Sequence, residues 1–397
     1  MSVGRRAPGS LFLALLGACA TAPPPRVAPE PAVPLMRVVH DSMARVLDRA
    51  LADSAFPGAI AVVGTRDGGV TAYAVGRIDW PPQAPPPDER TLWDLASLTK
   101  VVGMTTAMMQ LVEQDRVELD APVVQYIPEF AGPGKERVTI RHLLTHSSGL
   151  PSWRPLYKEA TTADTAVSVV FATPLDTVPG ARMVYSDLGA ILLGKVVERV
   201  SGESLDVYLT RHVFGPLGMT STIYRPDASL RGRIAPTEFD PWRQRKIHGE
   251  VHDENAFMLG GVSGHAGLFS TAGDLTRFAR MMLAGGALDG VRVLRASTIA
   301  QFTVVQDPGL SHRALGWETP SGRNSAGTRM SARAFGHTGF TGTSLWMDPE
   351  AGVFVILLSN RVNPSRQNTR IGLVRTALAD AVMAALGAAA PLSPGSP

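Results

Sequence analysis

Residues 92–115 read LWDLASLTKVVGMTTAMMQLVEQD. The stretch begins with polar and small residues and becomes an almost wholly apolar run of helical length. At its mouth a hydroxyl, Ser97, and an amine, Lys100, stand one turn apart. Ser97 can be read as a helix cap, a position that suits serine. Lys100 resists the matching reading as a first-turn surface lysine. A cation at a helix N-terminus opposes the macrodipole, and buried helices rarely hold unpaired lysines. The chain has only five lysines, at 100, 135, 158, 195 and 246, so one inside an apolar helix is not casual filler. A catalytic reading removes the misfit. Residues i and i+3 share a helix face, so Lys100 can take the proton that Ser97 must lose to act as a nucleophile. That role needs a lowered lysine pKa, which desolvation against VVGMTTAMM and the positive helix start both predict. The helix start also favours negative charge developing near the Ser97 amide.

Both ends of the chain predict the sheet that would carry this helix. Residues 35–53 place apolar side chains at helical spacing. GAIAVVG and VTAYAVG then flank TRDGG, a hairpin pattern with glycines at the turn. Far downstream TSLWMD and GVFVILLSN flank PEA as a second hairpin, and TRIGLVRTALADAVMAAL reads as a last helix. The pattern predicts an α/β fold: a mostly antiparallel sheet built from both chain ends and flanked by helices. Its α/β part covers about 35–96 and 281–390, with a mainly helical insert over about 97–280. The runs DWPPQAPPPDER and DPGLSHRALGWETPSGRNSAG read as surface loops.

Composition sets the broader bounds. The 397 residues are 45% hydrophobic and 18% charged, as in an ordinary globular chain. A net charge of +3, with no basic stripe interleaved with aromatics, gives no reason to expect a nucleic-acid partner. MSVGRRAPGSLFLALLGACATAPPP reads as an export signal over residues 1–18: Arg5 and Arg6, then an apolar stretch too short to span a bilayer. Its end, LGAC, resembles the lipobox of bacterial lipoproteins, and Cys19 is the sole cysteine. The expectation is lipidation at Cys19, a Pro- and Ala-rich tether over 19–34, a hydrolase domain over 35–390 and a tail at 391–397. The anchor would face the periplasm, and Ala20 in place of an aspartate points to the outer membrane.

Two further segments raise the serine and lysine above chance. ARMVYSDLGAILLGKVVERVSG puts Tyr185, Ser186 and Asp187 at the start of an apolar-periodic helix. AFGHTGFTGTSLWMD puts His337, Thr338 and Gly339 at the start of a strand. In this order, SLTK, YSD and HTG resemble the three motifs of the class C β-lactamase-like serine hydrolases, which include D-Ala-D-Ala carboxypeptidases and esterases. VTIRHLLTHSSGLPSW and GHAGLFSTAGDLTRFARMML are further hallmarks, and the resemblance runs from about Met36 to Leu386.

The resemblance implies a β-lactamase/transpeptidase-like fold and an acyl-enzyme on Ser97, with Lys100 as its proton partner and Tyr185 as the second base or acid. It places the oxyanion hole at the amides of Ser97 and Phe340, where each donor is typically worth roughly 3 kcal/mol. Thr338 would bond a substrate carboxylate, and the small Gly339 would let substrate backbone approach the strand. Two departures stand out. Asp187 replaces the amide of Y-S-N, which removes a donor to the substrate and argues against hydrolysis of β-lactam antibiotics. His337 replaces the lysine of K-T-G and would carry only a partial charge at neutral pH.

No metal or cofactor is expected. His142 and His146, like His248 and His252 beside Asp253, are spaced i, i+4 but lack the glutamate of H-E-x-x-H. GEVHDENAFMLGGVSGHAG reads as a loop lining the cleft, with His252, Asp253 and His265 at its rim. The expected substrate is a D-Ala-ending peptidoglycan peptide. A small ester, weak β-lactam hydrolysis, a non-catalytic penicillin-like sensor and a structural lipoprotein stand as alternatives.

Overall fold

The computed structural model describes residues 1–4, 35–322 and 324–389. Apart from residues 1–4, the expected signal, Cys19, the tether and the 391–397 tail lie outside the described residues. From Leu35 the chain opens with helix α1 (Leu35–Ala52), then the hairpin β1 (Gly58–Thr65) and β2 (Val70–Gly76). Gly68 turns that hairpin at φ +101°, a conformation that a side chain would oppose. Short strand β3 (Trp93–Asp94) leads into the nucleophile segment. A π-type turn over Lys100–Thr105 there continues into α2 (Thr106–Glu113).

The middle of the chain supplies α3 (Asp187–Ser201), strand β4 (Ile223–Tyr224), the short α4 (Glu254–Met258), strand β5 (Leu268–Ser270) and α5 (Ala272–Leu283). Strands β6 (Phe335–Thr338), β7 (Ser344–Asp348) and β8 (Val353–Ser359) precede the last helix, α6 (Ile371–Ala389). Among the described residues no helix is long and apolar enough to cross a membrane.

One five-stranded antiparallel sheet, ordered β6-β7-β8-β1-β2, joins the two chain ends: β1 pairs with β8 from Ala59↔Ser359 to Thr65↔Val353. The period-2 alternation divides its side chains between two cores. Ala59, Ala61 and Val63 face α1 and α6, which bury Val39, Met43 and Leu47 and, from the other helix, Leu378 and Val382. Ile60, Val62, Ile356 and Leu358 face the larger core that holds the nucleophile helix through Val101, Val102 and Met104.

The expected boundary at 280/281 cuts through α5, and the structure corrects it. Helix α5 packs directly on β1 and β8, so it belongs to the sheet-bearing part. Its buried face, including Leu275, Phe278, Ala279 and Met282, is what seats it there. A second, three-stranded sheet, β3-β5-β4, ties the nucleophile to the GHAGLFS stretch through Trp93↔Ser270 and Asp94↔Phe269.

Candidate active site

Ser97 lies three residues past β3, in a turn that its neighbours hold rigidly. Ala96 adopts φ +46°, uncommon for a residue with a side chain. The buried Asp94 supports it: Oδ1 accepts the Ala96 amide at 2.8 Å and Oδ2 accepts the His252 amide at 2.6 Å. The hydroxyls of Thr341 and Thr343 donate to the carbonyls of Asp94 and Leu95, at 2.7 and 3.1 Å. The nucleophile turn is thus bonded to the loop after β6. Gly339 belongs to this contact. A Cβ there would lie 2.1 Å from Thr343 Oγ1 and 2.4 Å from the Leu95 carbonyl. Close packing of two loops thus excludes a side chain at Gly339.

Ser97 caps no helix; its Oγ instead accepts from Lys100 Nζ at 3.0 Å. The same ammonium donates to the His265 carbonyl at 2.9 Å and forms an ion pair with Asp187 Oδ1 at 2.7 Å. That last contact is electrostatic and poorly aligned, since Asp187 Oδ1 has no hydrogen-bond partner among the described residues. The expected lowering of the Lys100 pKa is corrected. Burial does work to lower it, but the Asp187 carboxylate, with Tyr185 beside it, outweighs burial and raises the pKa above its ordinary value. Lys100 rests as a cation.

Tyr185 precedes the Ser186 cap of α3, whose Oγ accepts the Gly189 amide. Its ring lies 5.0 Å from Lys100 Nζ, and its buried hydroxyl has no partner among the described residues. Burial is the largest influence on the phenol and leaves its pKa raised, against the pull of Lys100, so Tyr185 rests protonated.

His337 departs furthest from expectation. It is 2% exposed and packs beneath Tyr185, ring centroids 5.8 Å apart, with Nδ1 bonded to the Thr338 carbonyl at 2.8 Å. Burial, reinforced by the nearby Arg313 and Lys100 charges, holds it neutral. It offers no partial charge to a substrate and stands behind the site. Thr338, half-buried, ends β6 beside it.

A cleft of about 270 Å³ opens above Ser97. Ser97, Tyr185, Asp187 and Phe340 line it together with His252, Asp253 and His265, the three residues expected at its rim. Neither the Ser97 nor the Phe340 amide donates to a group among the described residues, which leaves both available to an oxyanion. His265 Nε2 meets Asp253 Oδ1 at 2.9 Å and its Nδ1 meets Ser263 Oγ at 2.8 Å. This looks like a second Ser-His-Asp set, but Ser263 is buried and lies outside the cleft. The chain of bonds fixes the His265 carbonyl under Lys100.

The remaining histidine pairs are engaged elsewhere. His142 Nδ1 accepts the Thr139 amide, His146 Nδ1 accepts the Ser186 amide, and His248 Nε2 meets the carbonyls of Arg231 and Ile234. Sequence reasoning missed Trp153, Glu254 and Arg366 in the cleft wall, and Asp94 behind it. Trp153 ends a hallmark stretch and was within reach. Arg366 sits in a plain loop and carries no local signal.

Comparison with known proteins gives the family and the fold. A family model described as Beta-lactamase matches residues 43–379. An Escherichia coli (strain K12) protein named "Putative D-alanyl-D-alanine carboxypeptidase" is 36% identical over 304 residues, covering 68% of this chain and 69% of that one. Among solved structures, a penicillin-binding protein homolog from Caulobacter crescentus superposes with a TM-score of 0.71 at 22% identity, over 87% of this chain and 97% of that one. EstCE1, a hydrolase with promiscuous acyltransferase activity, reaches 0.70 at 22% identity, over 86% and 99%.

Proposed function

The chain belongs to the Beta-lactamase family and is a serine hydrolase, and from that premise we propose that it removes the terminal residue of D-Ala-D-Ala-ending cell-wall peptides through an acyl-enzyme on Ser97. The observation that carries this reading is Lys100 Nζ, held between Ser97 Oγ and Asp187 beside the Tyr185 ring at the floor of the cleft. Ser97 Oγ attacks the penultimate carbonyl while the Ser97 and Phe340 amides receive the oxyanion. The departing amine takes a proton from the Lys100–Tyr185 cluster and leaves as D-alanine. Water then cleaves the ester and regenerates Ser97.

The resting charges define what must happen first. Lys100 is charged and Tyr185 protonated, so neither accepts the Ser97 proton until the cluster has lost one. Lys100 and Tyr185 titrate as a pair, and activity rises with pH as that proton leaves. For the substrate carboxylate the cleft wall offers Arg366, which shares its guanidinium with Glu238 and Glu254.

The test is D-alanine release from a D-Ala-D-Ala peptide, with covalent labelling of Ser97 by a penicillin or a fluorophosphonate. Ser97→Ala should abolish both. Labelling that survives this change would sink the mechanism, and a single burst without turnover would leave a sensor. A small-ester substrate is the second reading, favoured by the neutral His337 and by Asp187, Asp253 and Glu254 in the wall, which repel a carboxylate. Arg366→Ala should raise KM for the peptide and leave an uncharged ester unaffected. Equal effects on both would move the assignment to the ester.

The same reading includes lipidation at Cys19 and a place on the periplasmic side of the outer membrane, supported by LGAC and the Pro- and Ala-rich run after it. Fatty acid should label the full-length protein and not Cys19→Ser. A full-length protein found free in the periplasm would end that part of the reading.

A further inference from the structure

Beyond the cleft lies a second hollow of about 590 Å³, within the range of roughly 300–1,000 Å³ typical of ligand sites. The two cavities share Glu254 and Arg366, which meet at 2.7 Å and form the sill between them. An aromatic wall runs across the sill. Trp153 in the cleft stands 6.3 Å from Tyr157 in the hollow, and Tyr157 stands 4.8 Å from Trp242. Tyr157 and Trp242 are inclined at 60°, so they form a corner rather than a closed stack. Trp242 remains 38% exposed and Phe239, also in the wall, 54%. Large aromatic faces left open around one concavity mark a binding surface.

The polar groups of the hollow restrict what can bind. Glu238 accepts from Arg366 and meets His252 Nε2 at 2.7 Å; Asp240 pairs with Arg243; Glu254 pairs with Arg366. An anionic ligand would meet three carboxylates, each already paired, against a single lysine, Lys158, whose Nζ lies 5.5 Å from the Tyr157 ring. An acyl chain would strip water from Glu254, Ser365 and Gln367 and return no hydrogen bonds. A neutral ring with apolar faces and a hydroxyl edge suits both the aromatic corner and the polar rim.

We propose that this hollow is a saccharide subsite, which takes a neutral pyranose ring carried by the same molecule whose acyl group reaches Ser97. The inference rests on the reading of Ser97 as the nucleophile only for the link between the two cavities. Binding in the hollow requires no chemistry.

The test uses full-length Ser97→Ala protein, titrated in a calorimeter with neutral β-linked glucose and N-acetylglucosamine tetrasaccharides. We expect saturable binding that weakens at least tenfold in Trp242→Ala and persists in Trp242→Phe, which keeps an aromatic face. Unchanged thermal melting of Trp242→Ala would show that the loss is not unfolding. No binding of either sugar at millimolar concentration, or equal binding by Trp242→Ala, would overturn the proposal. The outcomes separate from those at Ser97. Sugar binding without D-alanine release would strike the peptide reading alone, and release without sugar binding would strike the subsite alone.

Discussion

Asp187 changes the meaning of its neighbours more than any other single residue. An amide in its place would leave burial, which lowers a lysine pKa, opposed by Tyr185 alone. The carboxylate 2.7 Å away reverses that sign and keeps Lys100 protonated at neutral pH. Activity that waits for the cluster to lose a proton should therefore rise across alkaline pH. Asp187→Asn removes the stabilising charge, so the rise should move to lower pH, by roughly one to three units for the loss of an adjacent opposite charge. The measurement is kcat/KM against pH for an uncharged ester, on wild type and variant. A rise that stays in place would show that the ion pair does not govern the proton. The serine–lysine pair was legible because its partners lie three residues apart on one helix face. The sign of the lysine shift was not, because its cause comes from Asp187, far along the chain and close only in the fold. The His337 charge was illegible for the same reason: its identity suggested one, but burial against Tyr185, with the Arg313 and Lys100 charges nearby, denies it.

At the scale of elements, two loops bear on each other to set the site. The turn before Ser97 and the turn after β6 are fastened by Thr341, Thr343 and the bare Cα of Gly339. Gly339→Ala would drive a methyl group into the Leu95 carbonyl and the Thr343 hydroxyl, and backbone on one side or the other would have to shift. Both amides expected to hold the oxyanion sit on these turns. The change should therefore cost activity out of proportion to stability, about 10²-fold or more in kcat, the scale for loss of one oxyanion donor. Melting temperature and kcat measured together check this. A variant with unchanged kcat would show that the turns do not set the oxyanion site. Strands and helices at both chain ends were readable from period-2 and helical spacing. The end of the insert was not, since α5 carries the same apolar stripe whether it packs on helices or on a sheet. Only the partner distinguishes the two, and a stripe does not name its partner.

Across the whole molecule, the last helix reaches the first motif. Helix α6 packs on α1 and the sheet, but it also turns Arg375 inward, where Nη2 donates to the carbonyls of Gly339 at 2.6 Å and Thr343 at 2.7 Å. Through that turn it supports Leu95 and Asp94, and so Ser97, some 280 residues earlier in the chain. This guanidinium is expensive to keep. Burial, with the Arg361 charge nearby, pushes its pKa down to about 10, and its buried Nε has no partner among the described residues. Both carbonyls it serves have second donors, since the Gly339 amide bonds the Thr343 carbonyl at 2.8 Å and the Gly342 amide bonds the Gly339 carbonyl at 3.1 Å. Arg375→Met would therefore orphan no backbone group and would relieve a desolvated charge. Replacing buried charge with a well-packed apolar side chain is often neutral or stabilising. The variant should melt within a few degrees of wild type or above it, while kcat falls by roughly tenfold as the turn loosens, the scale of one misplaced donor. Thermal melting and steady-state kinetics on the same preparation decide the matter. A variant that loses several degrees of melting temperature and keeps its kcat would make Arg375 a stabilising residue and nothing more.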